Sequence, residues 1–219
     1  DVAYANQRVV IGAACSGIVL GVSGGTHHAL EDIALMRSLP NMTVMVPADA
    51  LEAWHLTQAT ETLDGPSYVR IGGKFDEPAV TAVDASPTIG KATTLRRGTD
   101  VTVIACGCMV VEALAAADEL ASEGIGVRVL NMHTIKPLDR DAVLAAAAET
   151  RGIVTAEEHH LTGGLGGAIA ELVAEEHPTR MRFVGMPDTF ATVGPTRKVR
   201  EKYGMSAANI AVKCRELMG

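Results

Sequence analysis

The sequence predicts an α/β protein made of two three-layer α/β/α units. Short apolar runs rich in β-branched residues alternate with helix-like patterns from one end of the chain to the other. Most of these runs are apolar almost throughout, which is typical of parallel strands that helices cover on both faces. Residues 74–90 contain Pro78 and Pro87 and show little helical periodicity, so they indicate a break between two alternating units.

The first unit, residues 1–79, begins with a strand and a glycine-rich loop. Its predicted strands, which we expect to be buried, lie at 9–11, 43–46 and 67–71. The glycine-rich loop spans 17–25 and leads into a helix whose apolar residues recur at helical spacing. Asp49 and Glu52 have the spacing of a capping box, so they predict the start of a second helix.

After a linker at 80–90, the second unit covers residues 91–219. Its predicted strands lie at 101–106, 127–130, 153–155 and 181–184. Its predicted helices run from 110 towards Gly124, over 138–150, onward from the glycines of 163–167, and from about residue 207.

The composition excludes several classes of partner. The chain has 219 residues and a net charge of −7, so we expect neither a nucleic-acid nor an anionic-membrane partner, since both need a basic face. No apolar run approaches the about 18 residues that a membrane span requires. We interpret the four scattered cysteines as reduced thiols of a cytoplasmic protein: Cys15, Cys106, Cys108 and Cys214.

Two glycine-rich segments precede predicted helices, GVSGGT at 21–26 and TGGLGG at 162–167. Neither has the residues of a Walker loop or of a dinucleotide fingerprint. For 162–167 we favour close packing of the helix on the sheet. The first segment is followed by His27 and His28, and imidazole suits proton transfer near neutral pH. Because α/β sheets bind ligands where strands lead into helices, these histidines are either a catalytic pair or ordinary loop residues.

A second histidine pair, His159 and His160, follows Glu157 and Glu158. The four side chains suggest a metal site. Adjacent residues of a strand point to opposite faces, however, so we favour a structural role for them. We expect no metal site in this chain.

Three stretches resemble the transketolase family. THHALEDIALMRSLPNMTVMVPADALEA is similar to its pyrimidine-binding domain, whose usual form begins THQ. VRVLNMHTIKPLDRDAVLAAA and TAEEHHLTGGLGGAIAELV are similar to its C-terminal domain. The resemblance covers nearly the whole chain. It is closest to the C-terminal half-protein of split transketolases, in which a separate chain carries the diphosphate-binding domain.

The resemblance implies a transferase that moves a two-carbon ketol unit from a ketose to an aldose with thiamine diphosphate. It places His27 at the family's catalytic histidine, and His28 at a glutamine that binds substrate. The implied partner is an N-terminal diphosphate-binding subunit, which carries Mg²⁺ or Ca²⁺. Two copies of each chain would form an α2β2 assembly acting on a sugar or sugar phosphate.

The sequence departs from the family where the substrate is expected. Ser23 stands in place of an acidic residue, and Cys15 in place of a histidine that helps to bind phosphate. The usual phosphate-binding arginine falls at Gly73, so Lys74 and Arg70 are candidates to compensate. Because charge-assisted bonds are the stronger ones, we expect an atypical donor or acceptor, either unphosphorylated or from specialised metabolism.

The cofactor-binding residues are unknown. In the family, a glutamate activates the cofactor and an aromatic residue stacks on its pyrimidine ring, and both are expected upstream of Asp1. The acids at the start of this sequence occupy helix or cap positions instead: Glu31, Asp32, Asp49 and Glu52. We expect about a hundred further residues, close to the size of an α/β domain.

Two alternatives stay open at this point. The β subunit of a 2-oxoacid-decarboxylating thiamine enzyme has the same two-domain plan and often carries HHS in this loop. A non-catalytic scaffold subunit is the other. For residues 91–219 we expect a role in assembly, with no convincing polar cluster.

Overall fold

The computed structural model describes residues 1–72 and 78–219. Two β-sheets with packed helices form the structure, as expected for an α/β protein. The first part of the chain contains β1 Val10–Ala14, α1 Asp32–Ser38, β2 Thr43–Met45, α2 Ala50–Ala59 and β3 Ser67–Ile71.

The second part contains six strands and five helices among the described residues. The strands are β4 Thr93–Arg96, β5 Val101–Ala105, β6 Val127–Asn131, β7 Thr134–Lys136, β8 Ile153–His160 and β9 Met181–Met186. The helices are α3 Met109–Ala121, α4 Arg140–Glu149, α5 Leu165–Glu176, α6 Thr196–Lys202 and α7 Ala207–Met218.

The two halves of the chain share a sheet. The first sheet has the order β1-β3-β2-β7, so β7 from the second half pairs antiparallel with β2. The second sheet has the order β4-β6-β5-β8-β9, in which β4 alone runs antiparallel. One apolar core also draws on both halves, with Ile33 and Val44 packed in the same cluster as Ile104 and Ile135. The halves therefore support each other through backbone pairing and a common core.

Strand β1 is at the edge of the first sheet and is not buried as expected. It pairs with β3 on one side, and its residues alternate between exposed and half-buried. Val10 is 49% exposed. The prediction of a buried strand is wrong in this chain because an apolar sequence does not reveal whether a strand lies at the edge or the centre of its sheet.

Local signals set the starts of the helices. The carboxylate of Asp49 accepts from the amide of Glu52 at 2.9 Å and begins α2, and Asp139 begins α4 in the same way. The carboxylate of Glu52 accepts from the amide of Ala48 at 2.7 Å. In a capping box the donor would be the amide of Asp49, one residue later. Glu52 is also buried against Asn131 of β6, so this residue joins the two halves as well.

The four cysteines are free thiols, of which only Cys15 is exposed. In the part of the chain that the structure describes, we find no helix with the length and apolar character needed to cross a bilayer.

Candidate active site

The histidine loop, which we define as residues 15–29, joins β1 to α1 and is closed at its base. The amide of Gly17 donates to the carbonyl of Ala29, and the amide of Ala29 donates back to Gly17, both at 2.9 Å. Between them the chain makes two short 3-10 turns, Gly21–Ser23 and Gly25–His27. The loop thus leaves the end of a parallel strand and enters a helix, which is where α/β sheets bind ligands.

His27 and His28 differ in their surroundings. His27 ends the second turn and is exposed. Its Nδ1 lies 2.9 Å from Thr26 Oγ1, so Nε2 is the ring nitrogen left for a ligand. His28 is extended and half-buried, and both its ring nitrogens are buried with no hydrogen-bond partner among the described residues. Since buried polar groups are normally paired, these nitrogens are available to a ligand, another chain or an ordered water.

Cys15 and Ser23, which are also predicted to bind substrate, are both exposed. Cys15 directly follows β1 and has a φ of 59°. Closure of the loop brings Cys15 and His28 to its base, whereas Ser23 and His27 lie on the two turns. Lys74, the remaining predicted substrate-binding residue, lies outside the described residues.

Arg70, on β3, fixes the end of the loop to both halves of the chain. Its Nε donates to Asp32 Oδ2 at 2.8 Å, and its Nη2 donates to the carbonyls of Ala29 at 2.8 Å and Glu158 at 3.0 Å. Burial alone would raise the pKa of Asp32, but the Arg70 charge and hydrogen bonds from Arg70 and Tyr68 hold it below its usual value. Arg70 is 3% exposed. The expectation that it could compensate for a phosphate clamp is therefore wrong.

Glu158 lies against the loop from the side of β8. Its Oε1 accepts from Nε of Arg200 on α6, while Oε2 has no hydrogen-bond partner in the described part of the chain. Gly17 packs so closely on this carboxylate that a Cβ at position 17 would lie 1.8 Å from Oε2. Gly17 also has a φ of +66°, so glycine suits this position for both its conformation and its size.

The second glycine-rich segment packs tightly, as expected. Glu157 accepts from the amides of Leu165 at 2.7 Å and Gly166 at 2.8 Å at the start of α5. A Cβ at Gly164 would lie 2.0 Å from this carboxylate, so the close approach requires glycine. Burial raises the pKa of Glu157 to about 7, although the two amides and nearby arginines act in the opposite direction.

The side chains from Glu157 to His160 bond different partners, although His159 Nδ1 also lies 3.7 Å from Glu157 Oε2. Glu157 caps α5, and Glu158 pairs with α6. His159 Nδ1 donates to the carbonyl of His160 at 2.7 Å, and His160 Nε2 lies 3.2 Å from Glu31 Oε1. Over residues 1–72 and 78–219 we find no group of three or more His, Cys, Asp or Glu side chains placed to hold a metal ion.

We expect the titration of Glu157 to make the protein less stable as the pH rises from about 4.5 to about 7. In this range Glu157 of the unfolded chain, with the ordinary pKa of 4.5, releases a proton that Glu157 of the folded chain keeps. The Glu157→Gln variant cannot titrate there. Relative to this variant, the wild type should lose up to about 3 kcal/mol of unfolding free energy across the range, as measured by urea denaturation at several pH values.

His159 acts in the opposite direction, because burial lowers its pKa and folding then gains stability as the pH rises towards the unfolded value of 6.5. His159 Nδ1 lies 3.7 Å from Glu157 Oε2 and would respond to the substitution, so the comparison is made in a His159→Gln background, where this contribution is absent from both proteins. A difference between the two proteins that stays constant with pH would show that Glu157 is ionised throughout.

Sequence reasoning missed several groups around the loop. Ser16 is buried and its Oγ has no hydrogen-bond partner among the described residues. Glu158 and Arg200 form a buried ion pair in the second half of the chain, where no convincing polar cluster was expected. The only sequence signal was a pair of acids inside a strand-like region, which is unusual for a solvated strand.

Two family models match successive parts of the chain. The model described as transketolase, pyrimidine binding domain, matches residues 1–72. The model described as transketolase, C-terminal domain, matches residues 90–210.

Curated relatives include subunits of split enzymes and single-chain enzymes. The 6-deoxy-6-sulfo-D-fructose transketolase subunit SqwH of Clostridium sp. (strain MSTE9) is 43% identical over 99% of this chain and 67% of its own length. An apulose-4-phosphate transketolase subunit of Phocaeicola vulgatus is 38% identical over 96% of this chain and 67% of its own length. The 1-deoxy-D-xylulose-5-phosphate synthase of Heliobacterium modesticaldum is 40% identical, but the chain spans 34% of that protein.

Solved structures give the same picture. A split gene transketolase, solved as an inactive β4 tetramer, has a TM-score of 0.91 at 39% identity. The match covers 98% of this chain and 68% of the chain of that protein. A transketolase from Leishmania mexicana has a TM-score of 0.74 at 24% identity, over 99% of this chain and 31% of its own, and this likeness shows the fold alone.

Proposed function

Since this chain belongs to the transketolase family, we propose that it is one subunit of a split transketolase, which transfers a two-carbon ketol unit from a ketose to an aldose with thiamine diphosphate. The order of the two matching family models supports the proposal. So does the 43% identity to a split subunit of which the chain spans 67%. These similarities favour a transketolase over the β subunit of a 2-oxoacid-decarboxylating enzyme.

The observation that carries the proposal is a group of buried polar atoms in and against the histidine loop that have no hydrogen-bond partner in the described part of the chain, where single atoms of this kind also occur elsewhere, for example in His55 and His133. The group at the loop consists of Ser16 Oγ, both ring nitrogens of His28, and Oε2 of Glu158, on which Gly17 packs. Unsatisfied buried groups are rare in folded proteins and call for an explanation such as a ligand. A bound substrate or cofactor, or the partner chain, would supply the missing hydrogen bonds for His28 and Ser16.

The histidines are suited to the substrate side of the reaction. When bound, thiamine diphosphate supplies the electron sink for breaking and forming the carbon–carbon bond. His27 would bond substrate oxygens through Nε2 and exchange protons with them, because imidazole does both near neutral pH. His28 would orient a substrate hydroxyl or the neighbouring ring. The closed base of the loop holds both side chains in one place, which favours a productive geometry.

The acids of the first half of the chain do not fit the activation of the cofactor. Glu31 pairs with His160, Asp32 is bound to Arg70, and Asp49 caps α2. We therefore propose that the activating glutamate comes from another segment or chain. The diphosphate and its Mg²⁺ or Ca²⁺ would be held by the partner subunit.

We propose that two copies of this chain pair within an α2β2 assembly with the diphosphate-binding subunit. Val22 on the loop is 65% exposed, and Val193 beside it is 68% exposed. Exposed apolar side chains next to a candidate active site are suited to an interface between subunits. The split transketolase solved as a β4 tetramer supports self-association of this fold. Four free cysteines fit the proposed cytoplasmic location.

We propose that the sugar substrate lacks the usual phosphate contacts. Residues 15–29 contain no lysine or arginine, and Arg70 is buried by other partners. Cys15 and Ser23 are exposed and are neutral substitutes for charged or titratable residues of the family. The relative named for 6-deoxy-6-sulfo-D-fructose supports this choice of donor, because that ketose carries a singly charged sulfonate in place of a phosphate with a charge of about −2.

A transfer assay of the assembled complex tests both parts of the proposal. We expect two-carbon transfer from 6-deoxy-6-sulfofructose to an aldose, dependent on the diphosphate-binding chain and thiamine diphosphate. For fructose 6-phosphate we expect a kcat/KM that is lower by a factor of about ten or more, which corresponds to the loss of one charge-assisted contact. Cys15→His should raise kcat/KM for the phosphate substrate, since histidine tolerates the positive φ at this position.

Cys15→Gln is the matched control, because glutamine has a similar size but no cationic form. It should leave the preference between the two ketoses unchanged. Turnover of pyruvate with a lipoyl acceptor, without ketol transfer, would instead support the 2-oxoacid enzyme. Equal kcat/KM for both ketoses in the wild type would contradict the proposed substrate.

A further inference from the structure

The segment that leads into α6 holds the histidine loop by two hydrogen bonds. Oγ1 of Thr196 donates to the carbonyl of Val19 at 3.0 Å, and the amide of Gly194 donates to the carbonyl of Gly21 at 3.0 Å. Both acceptors lie in the loop just before or at the start of its first 3-10 turn. The two chain segments are 177 residues apart in sequence at the Thr196–Val19 contact, so this is a contact between the halves of the protein.

Two close packing contacts accompany these bonds. A Cβ at Gly21 would lie 2.5 Å from the carbonyl oxygen of Gly194, and a Cβ at Gly24 would lie 2.8 Å from Cγ2 of Val193. The Glu158 carboxylate presses on Gly17 at the base of the loop. The second half of the chain therefore contacts the loop along the stretch that separates its closed base from His27.

The Thr196 contact is buried and local alternatives do not replace it. Thr196 is 8% exposed and is the first residue of α6, after Pro195, which cannot donate a backbone hydrogen bond. Loss of its hydroxyl would leave the Val19 carbonyl without this partner, and both residues are buried, with Val19 2% exposed. A displaced turn would move His27, and a misplacement of about 1 Å can cost about 100-fold in rate.

We propose that Thr196 is a positioning residue for the reaction, which acts by fixing the first 3-10 turn, directly before the turn that carries His27. The inference rests on the proposed role of His27. It gives residues 193–200 of the C-terminal domain a part in catalysis in addition to the expected role in assembly. The C-terminal domain would thus position His27, which belongs to the first half of the chain.

Thr196→Val tests the proposal, because valine keeps the shape and removes only the hydroxyl. In the assembled complex we expect its kcat to fall by about tenfold or more, with KM for thiamine diphosphate within about twofold. Thr196→Ser keeps the hydroxyl and should retain most of the wild-type kcat. Thr60→Val is the matched control, since Thr60 is 7% exposed and bonds one backbone carbonyl, that of Thr57, away from the loop.

A second measurement tests the stability of the histidine loop in the absence of turnover. Amide hydrogen exchange at Gly17 and Ser23, both bonded within the loop, should be about tenfold faster or more in Thr196→Val than in wild type and Thr60→Val. Exchange and kcat that are the same in Thr196→Val and Thr60→Val would overturn the proposal. An inactive wild-type complex would refute the proposed function, and the exchange data would then still decide whether Thr196 fixes the loop.

Discussion

Replacement of Arg70 by methionine is expected to lower the free energy of unfolding by about 3–5 kcal/mol, the range found when one partner of a buried ion pair is removed. Methionine keeps the length of the side chain but none of its N–H groups. The carboxylate of Asp32, whose side chain is 13% exposed, would become an unpaired charge. The carbonyls of Ala29 and Glu158 would lose a charged donor as well.

Urea denaturation of wild type and Arg70→Met measures this effect. Arg182→Met is the matched control, because Arg182 pairs with Glu216 on the surface and such a pair is worth at most about 1 kcal/mol. Adding Asp32→Asn to Arg70→Met should recover part of the loss, since it removes the uncompensated charge. If Arg70→Met costs no more than Arg182→Met, the loop is held mainly by its other contacts.

The position of Arg70 explains why its loss should matter beyond local packing. One guanidinium bonds the end of the histidine loop, the first turn of α1 and the backbone of β8. These three segments belong to different parts of the fold, and the loop has few other polar contacts with β3. A partly unfolded state that keeps only the first half of the chain would lose the bond to Glu158 and retain those to Asp32 and Ala29, so this bond is the one that couples Arg70 to the second half.

The elements that the sequence predicted well have strong local signals. Strand β3 coincides with the strand predicted at 67–71, the helix after Asp49 begins at its predicted cap, and α4 lies within the helix predicted at 138–150. These features depend on residues within a few positions of one another. Local sequence is therefore sufficient to define them.

The elements that the sequence did not reveal depend on distant contacts. Strand β7 has three residues and forms only because β2, about ninety residues earlier, offers an edge for antiparallel pairing. Helix α6 is highly charged and lacks an apolar stripe long enough to predict it. Strand β8 extends to His160, past its predicted end, because its polar residues are buried between the two halves.

The candidate site shows the same division. Its loop and histidines were identified from the order of glycines, histidines and helix-like residues. The groups that hold the loop were not, because Arg70 and Glu158 drew attention for other roles and Thr196 looks like an ordinary helix start. Their roles follow from contacts between residues far apart in sequence, and single-residue patterns carry no information about such contacts.

His27→Ala is expected to lower the kcat of the assembled complex by about 100-fold or more, the contribution typical of a positioned general acid or base. The side chain is exposed, and among the described residues its one side-chain partner is the adjacent Thr26, so its removal should change the free energy of unfolding by less than about 0.5 kcal/mol. Steady-state kinetics and urea denaturation of the same preparation measure the two quantities separately.

His177→Ala is the control, because His177 is an exposed histidine at the end of α5, outside the loop. It should leave both kcat and stability near the wild-type values. Added imidazole should restore part of the rate of His27→Ala, since truncation of an exposed side chain leaves a space that solvent and small bases can enter. Full turnover by His27→Ala, or an equal loss in His177→Ala, would show that the reacting oxygens do not meet this ring. The loop would then serve assembly, and the unpaired nitrogens of His28 would have to be satisfied by a partner chain instead of a substrate.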